Sequence, residues 1–230
     1  MKSTIKYLAL CSLLGAAVNL NAQSVTVDPS QSWIGYMNWF ETPANGGAYA
    51  GGGVWGTSDL VATFSGSTLT LAPNTIGDAA TSWYVGGGGP GAVGNKIMDA
   101  NMYVETTGTF VNTTLTFSGN VLANTLVGQT ALNGYAWTSV AFIKDFNATY
   151  SSFTTTTVPL TPGAFSISLL TAGATDHIQY GFETFGSDVW ATDVGQYGNI
   201  QIGPVPEPSV LALAGLGAAV VLPLFRRRNK

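Results

Sequence analysis

The sequence predicts an all-β fold: a single β-sandwich or jelly-roll domain, preceded by an N-terminal signal peptide and followed by a single C-terminal transmembrane helix. Three observations favour the all-β domain. Apolar and polar side chains alternate along many short segments, as expected for strands with one buried face. Turn sequences rich in Gly, Ser, Asn and Pro separate these segments. No window has helical apolar spacing over three turns, so residues 23–203 are assigned to one β domain.

About ten strands are expected in this domain. In "FSISLL" (165–170), Phe165, Ile167 and Leu169 point to one face and the intervening serines to the other. Further strands are predicted at 68–72, 96–106, 114–117, 139–146, 153–158, 177–185 and 199–203. The separators "SGS", "SGN" and "TPG" are predicted turns. The shared sequence "TFSG" at 63–66 and 116–119 is interpreted as two copies of a hairpin turn.

The N-terminus has the features of a secretory signal peptide over residues 1–22. Lys2 and Lys6 form a basic start, and the apolar stretch 7–18 that follows is too short to span a bilayer. Cleavage is predicted after Ala22, and export of the chain follows from this interpretation.

The C-terminal segment 204–230 combines a Pro-rich strip, an apolar span and a basic end. Residues 209–225 carry no charged side chain, and as a helix they would be roughly 26 Å long, close to the ~30 Å core of a bilayer. A basic end stays on the cytoplasmic side, which places the domain outside the inner membrane. The prolines of the strip disfavour helix upstream of the span. The basic stop is formed by Arg226, Arg227 and Arg228, within the tail 226–230.

This tail resembles the PEP-CTERM protein-sorting signal of Gram-negative bacteria. The matching parts are Pro206, Glu207 and Pro208, then the apolar span, then the three arginines. The resemblance implies exosortase, an integral membrane cysteine transpeptidase, as a partner that cuts near the Pro-Glu-Pro motif. It also implies an inner-membrane intermediate, final placement at the cell surface or in the extracellular matrix, and an association with exopolysaccharide or biofilm.

The charge distribution excludes some classes of partner. Six of the eight basic residues lie in the two terminal signals. Residues 23–205 keep only Lys96 and Lys144 against eleven acidic residues, a net charge of −9. No basic patch is available, so nucleic acid is not expected as a partner. Cys11 leaves with the signal peptide, and no disulfide is expected.

Enzymatic activity is not expected from the residue inventory. His177 is the only histidine, no G-x-S-x-G motif is present, and a zinc site lacks ligands. Glu41, Glu105 and Glu183 could serve a glycosidase or lyase, but nothing in their spacing selects a pair. A secreted glycosidase or lyase therefore remains an unfavoured alternative.

Aromatic residues are the candidate ligand contacts. Sugar rings stack on exposed aromatic faces while amides and carboxylates bind the hydroxyls. In "WIGYMNWF" (33–40), strand geometry places Trp33 and Trp39 on one face, and Tyr36 and Phe40 on the other. The alternative is that these rings fill a sandwich core, which also needs large aromatics. The candidate glycan contacts are Trp33, Tyr36, Trp39, Trp55 and Trp83, whereas Trp137 and Trp190 are expected in the core.

The second half of the domain loosely resembles a jelly-roll carbohydrate-binding module. The resemblance rests on "AFIKDF" (141–146), "PGAFSISLL" (162–170) and the segment 177–202. No cofactor is expected, although Glu183, Asp188 and Asp193 could supply oxygen ligands to a structural calcium ion.

The predicted function is that of a non-enzymatic cell-surface or matrix protein associated with exopolysaccharide. The alternative is a carbohydrate-binding module that recognises a defined neutral glycan.

Overall fold

The computed structural model describes residues 21–205, and within this range the chain is built almost entirely of strands. Two short 3₁₀ helices, Pro43–Asn45 and Ala191–Gln196, are the only helical turns in the described part. The all-β prediction is confirmed. The strands are β1 (Asn21–Thr26), β2 (Ile34–Glu41), β3 (Tyr49–Trp55), β4 (Ala62–Ser65), β5 (Thr68–Leu71), β6 (Tyr84–Val85), β7 (Val93–Gly94), β8 (Lys96–Thr107), β9 (Thr113–Asn124), β10 (Thr138–Phe146), β11 (Phe153–Pro159), β12 (Gly163–Thr171), β13 (His177–Ser187) and β14 (Ile200–Gly203).

The terminal predictions fall largely outside this range. Residues 1–20 of the predicted signal peptide, the Pro-Glu-Pro motif, the span 209–225 and the basic stop lie outside the described residues. Among residues 21–205, no helix has the length and apolar character needed to cross a membrane.

Two six-stranded sheets make up the domain. In the first sheet, β9 pairs with β12 along one edge. Two strands share the other edge of β9: β1, which runs parallel to β9, and β14, which is antiparallel to it. β14 pairs in turn with β5, and β5 pairs with β4. The second sheet is antiparallel, in the order β11-β10-β13-β8-β2-β3, and β6 pairs with β7 in a small separate ribbon. Every second side chain of each sheet therefore points toward the interior.

The core contains side chains from the inner faces of both sheets. Phe117 and Phe165 of the first sheet meet Phe182 of the second, with ring centroids 5.4–6.1 Å apart. Met98 and Met102 of β8 are buried in the same cluster. Because the aromatic contacts join the two sheets, they stabilise the sandwich beyond the burial of their area.

One turn prediction is wrong. The first "TFSG" does end at a hairpin, in which Ser65 pairs with Thr68 and Gly66 has a φ of +58°. The second copy runs straight through β9. A Cβ on Gly119 would lie 2.7 Å from the Phe165 ring. The glycine is therefore needed for close packing of β9 and not for a turn.

The predicted domain, residues 23–203, begins inside β1 and ends with β14. Asn21 and Ala22 are exposed and belong to β1, so cleavage after Ala22 would leave residues 23–26 of the strand paired with β9. At the other end, β14 finishes at Gly203. The last strand of the chain before the predicted sorting segment therefore leads directly into it.

Candidate functional site

A groove of about 550 Å³ lies over the outer face of the second sheet. We call it the outer groove. The side chains that line it come from alternate positions of neighbouring strands, because those positions point away from the core. They include Ile34, Tyr36 and Asn38 of β2; Asn101, Tyr103 and Glu105 of β8; Lys144 and Phe146 of β10; Gln179 of β13; and Tyr150 of the β10–β11 turn.

Lys144 is held in the floor of the groove by three contacts. Its Nζ donates to Asn101 Oδ1 at 2.9 Å and to Glu183 Oε2 at 3.1 Å, and it lies 4.1 Å from the centroid of the Phe142 ring. Only 16% of the Lys144 side chain is exposed. The positive charge is therefore neutralised and immobilised, and does not form a free binding site for anions.

The Asp99 carboxylate organises the amides on the β2 side of the groove. Asp99 accepts from Asn38 Nδ2 at 3.1 Å and from Asn101 Nδ2 at 2.6 Å. Burial raises the pKa of Asp99 above its ordinary value, with a further contribution from the Glu183 carboxylate, while the Asn38 hydrogen bond opposes the rise. These contacts fix the orientation of both amides.

The other end of the groove is built around Glu105. Its carboxylate accepts from Tyr150 Oη at 2.9 Å and from Gln179 Nε2 at 2.7 Å. The Tyr150 ring stacks on His177 at a centroid distance of 4.1 Å and an interplanar angle of 16°. Burial and the Glu105 carboxylate raise the pKa of Tyr150 to about 12, so its hydroxyl remains a donor at any physiological pH. The exposed Tyr150 ring is thus fixed as a wall of the groove.

The carboxylates considered for glycosidase chemistry do not form a pair in the groove. Glu41 binds Lys96 at 2.9 Å, away from the groove lining, and Glu183 binds Lys144. Of the three candidates, Glu105 alone is among the lining residues. Both oxygens of Glu105 already accept hydrogen bonds, so this carboxylate orients the Tyr150 and Gln179 side chains.

The predicted tryptophans are placed on the inner side of the sandwich. Trp33 lies 5.7 Å from Phe64 and 6.1 Å from Phe182, and its indole donates to the carbonyl of Asp28. Trp39 packs against Trp55 and Trp83, with centroid distances of 6.3 and 5.7 Å. All four are partly buried against the core.

The four indoles therefore pack against the core while staying partly exposed, and their role as glycan contacts stays a prediction. The expected face-sharing of Trp33 and Trp39 is present, but their common face is the one that covers the core. The rings cover apolar surface of the core, where burial of a large apolar area is favourable. Of the five candidates, Tyr36 alone is among the lining residues of the outer groove. Trp137 is buried as expected, and Trp190 packs on Tyr84.

The three residues considered for calcium are not brought together. Glu183 is bound to Lys144, Asp188 is fully buried and accepts from the Lys96 amide, and Asp193 accepts from the Gly91 amide in an exposed loop. Within residues 21–205, no group of three or more His, Cys, Asp or Glu residues is placed to hold a metal ion.

Sequence reasoning missed most of the groove lining. Asn101, Tyr103, Lys144, Tyr150 and Gln179 were not selected, although all except Tyr150 lie in predicted strands. Alternation in β8 could have placed Asn101, Tyr103 and Glu105 on one outer face. It carried no information on which strands lie next to β8.

The comparisons with known proteins concern the C-terminal segment. Residues 204–229 match the model of the PEP-CTERM protein-sorting motif. No curated protein matches the chain, and no solved structure does. The fold and the tail together define an exported β-sheet protein that passes through a membrane-anchored intermediate. The chain carries a PEP-CTERM sorting motif, which indicates an extracellular protein sorted through processing by exosortase.

Proposed function

We propose that this protein is a non-enzymatic surface or matrix protein that binds a neutral polysaccharide in the outer groove. The observation that carries the proposal is the combination of two aromatic rings in the lining, one half-buried and one exposed, with amides and charges that are already fixed by hydrogen bonds. Tyr36 and Tyr150 supply ring faces, and Asn38, Asn101 and Gln179 supply oriented polar groups. Apolar sugar faces and hydroxyls match this mixture.

The electrostatics favour an uncharged glycan. Lys96 and Lys144 are the only lysines or arginines between residues 21 and 205, and both are bound to glutamates. A polyanion would therefore meet an acidic domain without a free cation in its groove. Binding to a neutral glycan should change little with salt, since no counterions are released.

Replacing Tyr36 by alanine is expected to weaken binding to neutral polysaccharide by about 1–3 kcal/mol, or roughly 5- to 150-fold, as for other losses of aromatic stacking. Affinity electrophoresis of the full chain measures this as recovered mobility in gels that contain the glycan. A polyoxyethylene detergent keeps the tail soluble without adding sugar.

Tyr49→Ala is the matched control for this experiment, because Tyr49 is 60% exposed on the same sheet but does not line the groove. Equal losses in both variants would argue against the groove. Unchanged mobility of the wild type across neutral glycans would reject glycan binding altogether. Release of reducing sugar by the wild type would show instead that the protein is an enzyme.

A further inference from the structure

One end of the sandwich is closed by two loops that cross between the sheets. Residues 108–112 lead from β8 to β9, and residues 172–176 lead from β12 to β13. We call this region the crossover end. The Gly108 amide donates to the Asp176 carbonyl at 3.4 Å, and Thr171 Oγ1 donates to the carbonyls of Phe110 and Thr113. The loops are thus joined to each other and to the first sheet.

Two carboxylates meet at the crossover end. Asp145, near the end of β10, accepts from the Ala172 amide through Oδ2 at 3.2 Å. Asp176 accepts from the next amide, that of Gly173, through Oδ2 at 2.8 Å. Because consecutive amides of one loop bind them, the two carboxylates are close neighbours. The Asp176 carboxylate also occupies the space that a side chain on residue 173 would need, which explains the glycine there.

The Asp145 carboxylate is incompletely bonded. The residue is only 7% exposed, and its Oδ1 is buried without a hydrogen-bond partner among the described residues. A buried anionic oxygen without a partner is costly, and a second carboxylate beside it adds repulsion. The two lysines of the described range are committed to Glu41 and Glu183, so neither neutralises this pair.

We propose that the crossover end is a Ca²⁺ site in which the Asp145 and Asp176 carboxylates are the anionic ligands. Calcium accepts carboxylate, carbonyl and water oxygens in flexible geometry, which an irregular loop that contributes two carboxylates can provide. Magnesium demands a stricter octahedral arrangement and gives up its water reluctantly. The ion neutralises the paired charges and satisfies Oδ1 of Asp145. It holds β10 of the second sheet to the loop that follows β12 of the first. This site is independent of the outer groove.

Calcium is expected to raise the melting temperature of the full chain in detergent by roughly 3–8 °C at millimolar concentration, given the weak affinity typical of extracellular calcium modules. The melting temperature is measured in EDTA, in CaCl₂ and in MgCl₂ at equal ionic strength. Magnesium should give a smaller shift. Asp145→Asn and Asp176→Asn should lose the calcium shift, and each amide keeps an acceptor for the loop N–H. Asp78→Asn, which removes an exposed carboxylate on another loop, should retain it.

Isothermal titration calorimetry of the wild type with CaCl₂ provides a second measurement. It uses no variant, so misfolding of a variant cannot affect it. One bound Ca²⁺ per chain is expected. The site is rejected if no heat of binding appears and the wild-type melting temperature is the same in calcium and EDTA. It is also rejected if all three aspartate variants keep the wild-type shift, since the ion then binds elsewhere.

Discussion

Replacing Arg226, Arg227 and Arg228 together by glutamate is expected to abolish processing of the tail, so that the chain accumulates with its C-terminus at Lys230. The PEP-CTERM motif spans residues 204–229, and the arginines are its basic end. Positive charge after an apolar span keeps the C-terminal end of the span on the cytoplasmic side. Reversing this charge removes the signal that sets the orientation of the span. Mass spectrometry of the C-terminal peptide, in a host that produces exosortase, measures the result.

The matched control replaces the same three arginines by lysine, which keeps the charge and the long side chain. We expect this variant to be processed like the wild type. If the glutamate variant is cut with wild-type efficiency, positive charge is not what positions the tail. If the wild type itself retains Lys230, the chain is a plain membrane anchor and not an exosortase substrate.

The second large effect is expected at Asp188, a fully buried carboxyl where β13 ends. Its Oδ1 accepts from the Lys96 amide at 3.1 Å, and its Oδ2 has no partner among the described residues. The Lys96 ammonium binds Glu41 instead. Burial raises the pKa of Asp188 to about 7, and the hydrogen bond from the Lys96 backbone only partly opposes this rise.

A raised pKa means that the folded protein binds the proton of Asp188 more tightly than the unfolded chain does. The associated stability is present below the ordinary value of 3.8 and is lost as the pH rises to about 7. At ~1.4 kcal/mol per pH unit, the loss is at most about 4 kcal/mol. Asp188→Asn removes the ionisation, so we expect the variant to exceed the wild type in stability at pH 8 by a few kcal/mol.

Denaturant unfolding of both proteins between pH 4.5 and 8.5 measures the difference in unfolding free energy. The difference should grow with pH up to about 7 and then level off. Asp99 and Asp145, whose pKa values are also raised by burial, affect both proteins equally and cancel. The exposed Asp78→Asn variant should show no such growth. A difference between wild type and Asp188→Asn that is constant with pH would mean that Asp188 does not titrate in this range.

Local patterns in the sequence were sufficient to predict the fold class. Alternation correctly predicted that β5 and the strands from β8 to β14 exist, although their ends differ from the predicted ones. The reason is that side chains alternate with a period of two in a strand and of 3.6 in a helix. Local patterns were not sufficient for β3, because the glycines of its sequence "YAGGGVW" are typical of a loop. Two of its three glycines are explained by the tertiary structure, because the Trp39 indole occupies the space beside Gly51, while Asn38 and Tyr49 occupy the space beside Gly52. Packing between strands overrides the low strand propensity of glycine.

The sorting tail and the all-β class were therefore determined by the sequence itself. Each depends on residues close together in the chain: the order of Pro-Glu-Pro, apolar span and arginines, and the alternation within single strands. The tertiary structure alone decided the site. It turned Trp33 and Trp39 inward and Tyr36 outward, and it placed Tyr36, Glu105, Lys144 and Gln179 on one face. Alternation defines two faces for every strand, but only the pairing order β10-β13-β8-β2 and the packing of the other sheet determine which face covers the core and which side chains become neighbours.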